Sequence, residues 1–506
     1  MRHPSSSRRC HLNTSLQRST TLGNFAPVFF GLSVVLLMFS GTMLVPLLVA
    51  LSLDDGALWA YDQALLITLS AAALLWIAGR SGPHELKIRD GYLLVTSAWA
   101  LLPAFAAIPF MFYLPELSFT DAYFEAMAGL TTTGATVLSG LDGMAPSIHI
   151  WRGQLQWLGG MGIIVLFVAI LPILGIGGRQ LFKAETPGPL KESQLTPRIA
   201  STAKRLWLLY AGLTLCCALA YRLGGMSWLD AVVHSFTTMS LGGFSTHDAS
   251  FGHFGSPLLE GIAILFMLIA GMNFATHFLA LSRRSAEPYR TDWEARWFLT
   301  AILGGVLIVA VFLWIGGIYP AFVTALRHAA FNVVSIGTTT GYASVDYNLW
   351  PAFAPILMLL LCATASSAGS TGGGIKMVRT LLLIMQSWRE LARMLHPNAV
   401  IPIRLGGQVI PNKVVFSVLA FMSLYGASIM VMTMMLLFTG LDLISAFTAV
   451  VACITSTGPG LNQVGPATTY ESLTDIQIWI LSLAMLLGRL EIFTVMVIFT
   501  PSFWRK

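Results

Sequence analysis

The chain has 506 residues, of which 56% are hydrophobic and only 10% are charged, and its formal net charge is +6. This composition excludes a soluble protein, because the apolar runs lie along the whole chain and are not confined to one anchor. Membrane topology and contact with anionic lipid explain the positive charge, so no nucleic-acid partner is expected. The sequence therefore predicts an all-α polytopic membrane protein embedded in a lipid bilayer.

Ten apolar stretches approach or exceed the length of about 20 residues that a helix needs to cross a bilayer. They are preceded by a Ser- and Arg-rich segment, which predicts a flexible tail over 1–25. The predicted spans lie at 27–52, 60–79, 92–113, 155–176, 206–224, 258–281, 297–318, 353–386, 413–439 and 474–500. With the N-terminus inside, 25 of the 29 Lys and Arg residues fall on the cytoplasmic side, which predicts that both termini are cytoplasmic. The exceptions are Arg152, Arg222 and Arg327 in predicted outer loops, and Arg489 in the last span.

Four short helix-like segments between these spans end in the same kind of turn. Each begins thirteen residues before a final glycine and has alanine at its second position. The turns, called here the four glycine turns, are Thr-Thr-Thr-Gly at 131–134, Ser-Leu-Gly-Gly at 240–243, Thr-Thr-Thr-Gly at 338–341 and Thr-Ser-Thr-Gly at 455–458. Their shared spacing and flanking spans argue against four unrelated surface loops.

The final glycines recur every 98 to 117 residues, which indicates an internal repeat. We predict two extra N-terminal helices within 26–90, followed by four helix–pore-loop–helix repeats at 91–205, 206–296, 297–412 and 413–506. Irregular backbone at membrane depth is tolerated only where it is buried in protein or lines a cavity. Four such turns therefore predict a pseudo-fourfold arrangement around a central pore.

The four glycine turns contain neither an acid nor a base, so their ion ligands would be neutral carbonyl and hydroxyl oxygens. Such ligands suit a weakly hydrated monovalent cation, whereas a divalent cation would favour carboxylates. Glycine permits positive φ, which lets consecutive carbonyls face one way. The candidate potassium ligands are Thr132, Thr133, Gly134, Leu241, Gly242, Gly243, Thr339, Thr340, Gly341, Ser456, Thr457 and Gly458.

Nine motifs follow one another along the chain. They are GLTTTGAT (129–136), WLGGMGIIV (157–165), PGPLK (187–191), GGFSTHDAS (242–250), TTTGYAS (338–344), GSTGGGIK (369–376), HPNAV (396–400), GPGL (458–461) and GRLEIFT (488–494). Together they resemble the Trk/Ktr/HKT superfamily of potassium transporters, and within it the bacterial TrkH-type subunit, from about residue 26 to the C-terminus.

This resemblance implies a potassium uptake protein of the bacterial inner membrane and not an enzyme. It implies bound K⁺ in the pore, no organic cofactor, and a homodimer with one pore per protomer. It also implies a TrkA-type cytosolic partner with nucleotide-binding domains. In the plant relatives a serine at the first turn glycine accompanies sodium transport, so Gly134 favours potassium. The sequence departs from the usual pattern in the fourth turn and at 363–368.

The stretch 366–376, called here the glycine-rich loop, interrupts the eighth predicted span. Each glycine costs a helix about 1 kcal/mol relative to alanine, so this stretch is not expected to be helical. The resemblance implies a mobile gate below the pore turns; the alternative is close helix packing through small residues. No phosphate-binding pattern is present. The candidate gate residues in the loop are Gly369, Ser370, Thr371, Gly372, Gly373, Gly374 and Lys376.

Arg489 completes the candidate gate, because a charge within a span is costly and usually faces a cavity or a partner. We interpret it as a cation that restricts ion passage below the turns. The alternative is a structural contact with Glu491 or with a nearby backbone carbonyl.

Three other functions stay open at this stage. The same pore would also suit a sodium- or ammonium-permeable transporter. An ion-translocating subunit of an ATP-driven potassium pump shares the architecture, although GSTGGGIK and GRLEIFT argue against it. A non-transporting scaffold would not explain four turns in register.

Overall fold

The computed structural model describes residues 25–80, 87–162, 199–364 and 366–505. Within these ranges the chain is predominantly helical, with one short antiparallel strand pair, β1 (Arg404–Leu405) and β2 (Gln408–Val409). The predicted tail at 1–25 lies outside the described residues except for Phe25.

The helices are numbered in chain order over the described residues. The first ten are α1 (Ala26–Thr42), α2 (Leu44–Leu53), α3 (Leu58–Gly79), α4 (Ile88–Tyr113), α5 (Phe119–Leu130), α6 (Pro146–Gly160), α7 (Ile199–Leu223), α8 (Trp228–Met239), α9 (Pro257–Gly271) and α10 (Phe274–Arg283). The others are α11 (Glu287–Thr291), α12 (Trp293–Ile315), α13 (Phe322–Gly337), α14 (Phe353–Thr364), α15 (Met377–Leu395), α16 (Asn412–Phe438), α17 (Leu443–Thr455), α18 (Asp475–Arg489), α19 (Phe493–Met496) and α20 (Pro501–Trp504).

Six helical stretches in the described ranges are long and apolar enough to cross a membrane. They are Ala26–Leu53, Leu58–Gly79, Arg89–Tyr113, Ala203–Leu223, Trp293–Ile315 and Asn412–Phe438. The first two are the extra helices predicted before the repeats, and α1 packs along α3 and α4. The chain is therefore a multi-pass membrane protein.

Two of the remaining predicted spans, 258–281 and 474–500, are wrong as continuous helices, whereas the interruption expected in 353–386 is present. The chain bends by 95° between α9 and α10 and by 106° after α18. Non-helical backbone, with residue 365 outside the described part, separates α14 from α15. The fourth, 155–176, is described only as far as residue 162, and α6 has already ended at Gly160. Hydropathy did not show the two bends because the residues at them are themselves mostly apolar.

The interrupted helices occupy equivalent places in the four repeats. Each of α6, α9, α14 and α18 follows a glycine turn and contains only 12 to 15 residues. At 1.5 Å per residue these helices are about 18 to 22 Å long, short of the roughly 30 Å hydrocarbon core. Each therefore ends at membrane depth, where irregular backbone requires a protein-lined cavity.

The short helices α5, α8, α13 and α17 connect the repeats into a closed ring. Three of them start on a side-chain cap, from Ser118, Ser227 and Asp442, which accepts a backbone hydrogen bond three residues on. Each packs against the second helix of the preceding repeat: α8 against α6, α13 against α9 and α17 against α14. Since α5 packs in the same way against α18, the fourth repeat closes onto the first.

Candidate functional site

The four glycine turns leave their helices with one common backbone conformation. The residue two positions before each final glycine has a left-handed φ of 55° at Thr132, 55° at Leu241, 64° at Thr339 and 57° at Ser456. The final glycines Gly134, Gly243, Gly341 and Gly458 have φ of 79°, 79°, 90° and 92°. Left-handed backbone costs a non-glycine residue about 1–3 kcal/mol and concentrates at functional sites. The sequence predicted positive φ only at the glycines, so the second left-handed position is a finding of the structure.

The final glycines pack against one another around a closed circle. A methyl group built on Gly134 would overlap the carbonyl oxygen of Gly242, one on Gly243 that of Thr340, and one on Gly341 that of Thr457. The circle closes because a methyl group on Gly458 would overlap the carbonyl oxygen of Thr133. The distance from the added methyl carbon to the carbonyl oxygen would be 2.0 to 2.5 Å, which is shorter than non-bonded contacts of real Cβ atoms. Glycine is therefore required at all four places by close backbone approach as well as by φ.

Three of the turns are held by the same hydroxyl pair. Hydroxyl contacts of 2.8 Å join Thr131 to Thr133, Thr338 to Thr340 and Thr455 to Thr457. The first threonine of each pair also donates to the carbonyl oxygen four residues earlier, at 2.7 Å. All of these side chains are buried. The threonine-rich composition of the turns therefore serves their backbone geometry directly.

The second turn lacks this hydroxyl pair, because glycine stands at position 242. The amide of Gln156 from α6 takes the vacant space: Nε2 donates to the Gly242 carbonyl oxygen at 2.7 Å. Gln156 Oε1 accepts from the Phe244 backbone N–H at 3.1 Å. The side chain is fully buried, so a residue from the first repeat completes the turn of the second.

Polar side chains on the four short helices α5, α8, α13 and α17 hold the chain where it leaves each turn. Glu125 accepts from the backbone N–H of Val137 at 3.1 Å, and His234 contacts Ser245 Oγ at 3.0 Å. The other two helices use Asn332, which accepts from the Ser344 N–H, and Thr448, which accepts from the Leu461 N–H. His234 and Asn332 therefore support the chain that leaves the second and third turns.

Arg152 joins the first two repeats behind the turns. It is 1% exposed, donates to Glu125 Oε1 at 2.9 Å and donates to the Ser245 carbonyl oxygen at 2.9 Å. Its guanidinium also lies 4.3 Å from the centre of the Phe244 ring. The prediction that Arg152 lies in an outer loop is wrong, since it belongs to α6 and is buried against a carboxylate. The predicted span began only at residue 155, whereas α6 already begins at Pro146 and holds the charge of Arg152 by pairing it inside the protein.

The connections beyond the turns are joined in the same circular order. Leu141 N–H donates to Asp248 of the second repeat, and Gly252 N–H donates to the Ala343 carbonyl of the third. Two further bonds join the third repeat to the fourth and the fourth to the first. They run from Asn462 N–H to Asn348 Oδ1 and from Tyr470 N–H to the Thr136 carbonyl oxygen.

The glycine-rich loop lies directly against the third and fourth glycine turns and against the residue that precedes the second. Thr371 Oγ1 donates to the Met239 carbonyl oxygen at 3.1 Å, and the Gly373 N–H donates to Thr339 Oγ1 at 2.8 Å. A methyl group on Gly372 would lie 3.1 Å from the Thr338 carbonyl oxygen, and one on Gly373 would overlap that of Thr455. The loop therefore contacts the second, third and fourth repeats at once.

Besides these contacts, the loop is tied to α10 and is folded on itself. The Gly369 carbonyl accepts from the Phe274 N–H at 3.1 Å, and Ser370 donates to the Ser367 carbonyl oxygen at 2.6 Å. Gly374 has φ 76°, as does Lys376, whose Nζ donates back to the Gly372 carbonyl oxygen. The loop is a folded plug of irregular backbone and not a helix–helix packing stripe.

Arg489 supplies the contact to the first repeat. Its guanidinium donates to the Gly159 carbonyl oxygen, to the Gly160 carbonyl oxygen at 3.3 Å and to Thr132 Oγ1 at 3.4 Å. It thus binds the carboxyl-terminal end of α6, where the helix dipole is negative. The suggested pairing with Glu491 is wrong, because the Glu491 carboxylate pairs with Arg379 instead. The alternative contact with a backbone carbonyl is confirmed.

The structure therefore gathers all twelve candidate potassium ligands into one ring and places the eight candidate gate residues in and beside the loop under it. Sequence reasoning missed Gln156 and Arg152. A glutamine and an arginine four residues apart at the start of a predicted membrane span were the available signal, since polar residues there require buried partners.

A closed ring of uncharged turns in a multi-pass helical protein defines a membrane protein for cation transport. The family described as TrkH, cation transport protein, matches residues 60–506, and the chain belongs to this family.

Related proteins match this sequence over nearly the whole chain. The Trk system potassium uptake protein TrkH of Salmonella typhimurium is 48% identical over 93% of this chain and 98% of its own length. The protein of the same name from Escherichia coli K12 is 47% identical over the same shares. The crystal structure of the potassium transporter TrkH from Vibrio parahaemolyticus matches with a TM-score of 0.85 and 42% identity, covering 95% of this chain and all of that one.

Proposed function

We propose that this protein takes up potassium ions through the ring of glycine turns. The closed circle of glycine-to-carbonyl contacts is the observation that carries this proposal. It brings the carbonyl before each glycine next to the final glycine of the preceding repeat, so four copies of one backbone unit surround one axis. The relatives' names specify potassium uptake, which agrees with a site made of neutral oxygens.

The twelve ring residues supply backbone carbonyls and, at the threonines and Ser456, hydroxyls. Rings of carbonyl oxygens replace the hydration shell of potassium. No carboxylate occurs among these residues, which disfavours a resident divalent ion. Potassium is therefore the bound and transported ion, and no organic cofactor takes part.

The membrane potential is sufficient to drive uptake. It contributes about 2.3 kcal/mol per charge per 100 mV, which corresponds to about 50-fold accumulation. We place the protein in the bacterial inner membrane, where such a potential exists. Both termini then lie in the cytoplasm, the orientation that the distribution of Lys and Arg favours.

The glycine-rich loop and Arg489 form the gate in this proposal. Together they contact all four repeats at or directly beside their glycine turns, so ions that pass the ring must displace or pass around them. Opening requires that the hydrogen bonds of Thr371 and Gly373 to the neighbouring repeats break, and the loop contains no regular secondary structure that would have to unfold.

Control of the gate is assigned to a cytosolic partner. The relatives' names place them in a Trk system, which implies a regulatory Trk subunit. We propose a TrkA-type protein with nucleotide-binding domains, acting on a homodimer with one pore in each protomer.

The test of transport is complementation of a bacterium that lacks potassium uptake, grown in low potassium. Wild-type protein is expected to restore growth, and Gly261→Ser is the matched control because that glycine lies in open space on α9. Absence of rescue, with the protein present in the membrane, would contradict potassium uptake. Growth with sodium or ammonium as competitor then separates a potassium-selective pore from a permissive one.

The test of the gate uses an isosteric change. Thr371→Val removes the hydroxyl that binds the Met239 carbonyl oxygen, and basal ⁸⁶Rb⁺ flux in proteoliposomes is expected to rise several-fold. Thr300→Val is the control, because its hydroxyl binds only its own helix at Arg296. Equal flux in the Thr371 variant and the wild type would argue against a gating loop.

A further inference from the structure

Two imidazoles and a carboxylate converge outside the ring, on the side where the chain leaves the glycine turns. Asp142 lies in a short 3₁₀ turn, Leu141–Gly143, of the first repeat, whereas His247 and His253 follow the second glycine turn. Their ligand atoms all lie within 4.8 Å of one another. His247 Nδ1 lies 2.5 Å and His253 Nδ1 4.0 Å from Asp142 Oδ1. The two imidazole rings are parallel, with centroids 3.5 Å apart.

The cluster is open to solvent but rests on a rigid support. The side chains of Asp142 and His253 are 52% and 46% exposed, while His247 is 17% exposed. Phe254 packs edge-on against both imidazoles, at 5.5 and 5.3 Å between ring centroids. A ligand from bulk water therefore reaches these three groups without any backbone movement.

A second carboxylate lies behind His247. Asp230 Oδ1 is 3.4 Å from His247 Nε2, and the same oxygen accepts a hydrogen bond from Thr246 at 2.6 Å. Histidines that bind metals commonly present their other ring nitrogen to a carboxylate, which orients the ring. His247 shows the same arrangement, since its Nε2 faces Asp230 while its Nδ1 faces Asp142 and His253.

We propose that Asp142, His247 and His253 form a binding site for a divalent transition metal ion of the Zn²⁺ type. Two nitrogen ligands and one oxygen ligand suit zinc, and water would fill the fourth position. Metal–ligand bonds of about 2.0–2.1 Å place tetrahedral ligands about 3.3 Å apart, within reach of small rotations of these exposed side chains. Zn²⁺ binds His247 Nδ1 in the tautomer whose proton lies on Nε2, the nitrogen that faces Asp230.

The position of the site gives it a role in transport. His247 lies four residues after Gly243, and the intervening Ser245 is held by Arg152 and His234. A bound divalent ion adds positive charge beside the outer mouth of the ring and ties the first repeat to the second. Zn²⁺ on the outer side of the membrane therefore inhibits cation entry; this part rests on the proposed function, whereas metal binding does not.

Binding is tested on the full-length purified protein without a polyhistidine tag, using Zn²⁺ calorimetry and Co²⁺ absorption spectroscopy. We expect a Co²⁺ visible band of tetrahedral intensity in the wild type. His253→Gln and Asp142→Asn should each lower the Zn²⁺ affinity at least about tenfold. His328→Gln, a half-buried histidine of the third repeat, is the matched control and should bind as the wild type does. Equal affinity in the wild type and in both cluster variants would overturn the site.

Inhibition is tested by ⁸⁶Rb⁺ flux with Zn²⁺ added from outside. We expect lower flux in the wild type and in His328→Gln, recovery with a chelator, and no inhibition in His253→Gln. Binding without inhibition would overturn the transport role alone. A wild type that passes no Rb⁺ even without Zn²⁺ would contradict the proposed function and leave the binding result standing.

Discussion

The side-chain amide of Gln156 donates a hydrogen bond to the carbonyl oxygen of Gly242 across 2.7 Å. This contact links the second helix of one repeat to the glycine turn of the next. It replaces the threonine hydroxyl pair that stabilises the other three turns. The pseudo-fourfold ring is therefore built with two different kinds of support.

Gln156→Leu should weaken the second turn selectively. The substitution leaves the Gly242 carbonyl and Phe244 N–H buried without their partner, at a cost of about 1–3 kcal/mol each. We expect reduced discrimination between potassium and sodium, measured as the ratio of their half-inhibitory concentrations in ⁸⁶Rb⁺ flux. Gln154→Leu on the same helix, whose amide binds the distant Thr42 carbonyl, is the control. Unchanged selectivity in the Gln156 variant would refute this role.

Gly243→Ser should damage the ring more than an added hydroxyl alone would. A side chain there meets the Thr340 carbonyl oxygen and must also adopt φ 79°, which costs an L-residue about 1–2 kcal/mol. We expect at least about tenfold loss of potassium-dependent growth rescue and weaker exclusion of sodium. The Gly261→Ser variant should grow as the wild type does, and a Gly243→Ser variant that also did so would contradict the close-approach argument.

Arg152→Met should destabilise the protein strongly, because it leaves the Glu125 carboxylate buried and unpaired. Removing one partner of a buried ion pair costs about 3–5 kcal/mol. The measurement is the thermal midpoint of the detergent-solubilised protein. Adding Glu125→Gln to Arg152→Met should recover part of the loss, since the buried charge is then gone. No recovery in the double variant would show that the bond to the Ser245 carbonyl carries the effect.

Arg489→Gln should raise basal flux if the guanidinium acts on passing ions. A unit charge within about 10 Å costs a cation about 1–2 kcal/mol at an effective dielectric constant of about 20, so roughly tenfold faster flux is expected. Arg489→Lys keeps the charge and should stay near the wild-type rate, as should the control Arg290→Gln on an exposed segment. Lower flux in both Arg489 variants would indicate that the residue only holds the end of α6.

The sequence alone determined the membrane class, the four turns in register and the unwound glycine-rich stretch. These features are local: apolar length, glycine content and spacing are written in consecutive residues. The resemblance to a transporter family rested on the same short motifs, and the family match over residues 60–506 confirmed it. Hydropathy nevertheless overstated the spans, because it measures apolar composition and does not detect a bend between two apolar half-helices.

Only the tertiary structure decided which groups meet. Arg489 binds the end of α6, 330 residues earlier, and not the neighbouring Glu491. Arg152 proved to be a buried link between two repeats, and Gln156 a substitute for a missing hydroxyl. A long polar side chain buried in a membrane protein must form hydrogen bonds with groups at its own depth. Which groups lie there depends on how distant repeats pack when the ring closes.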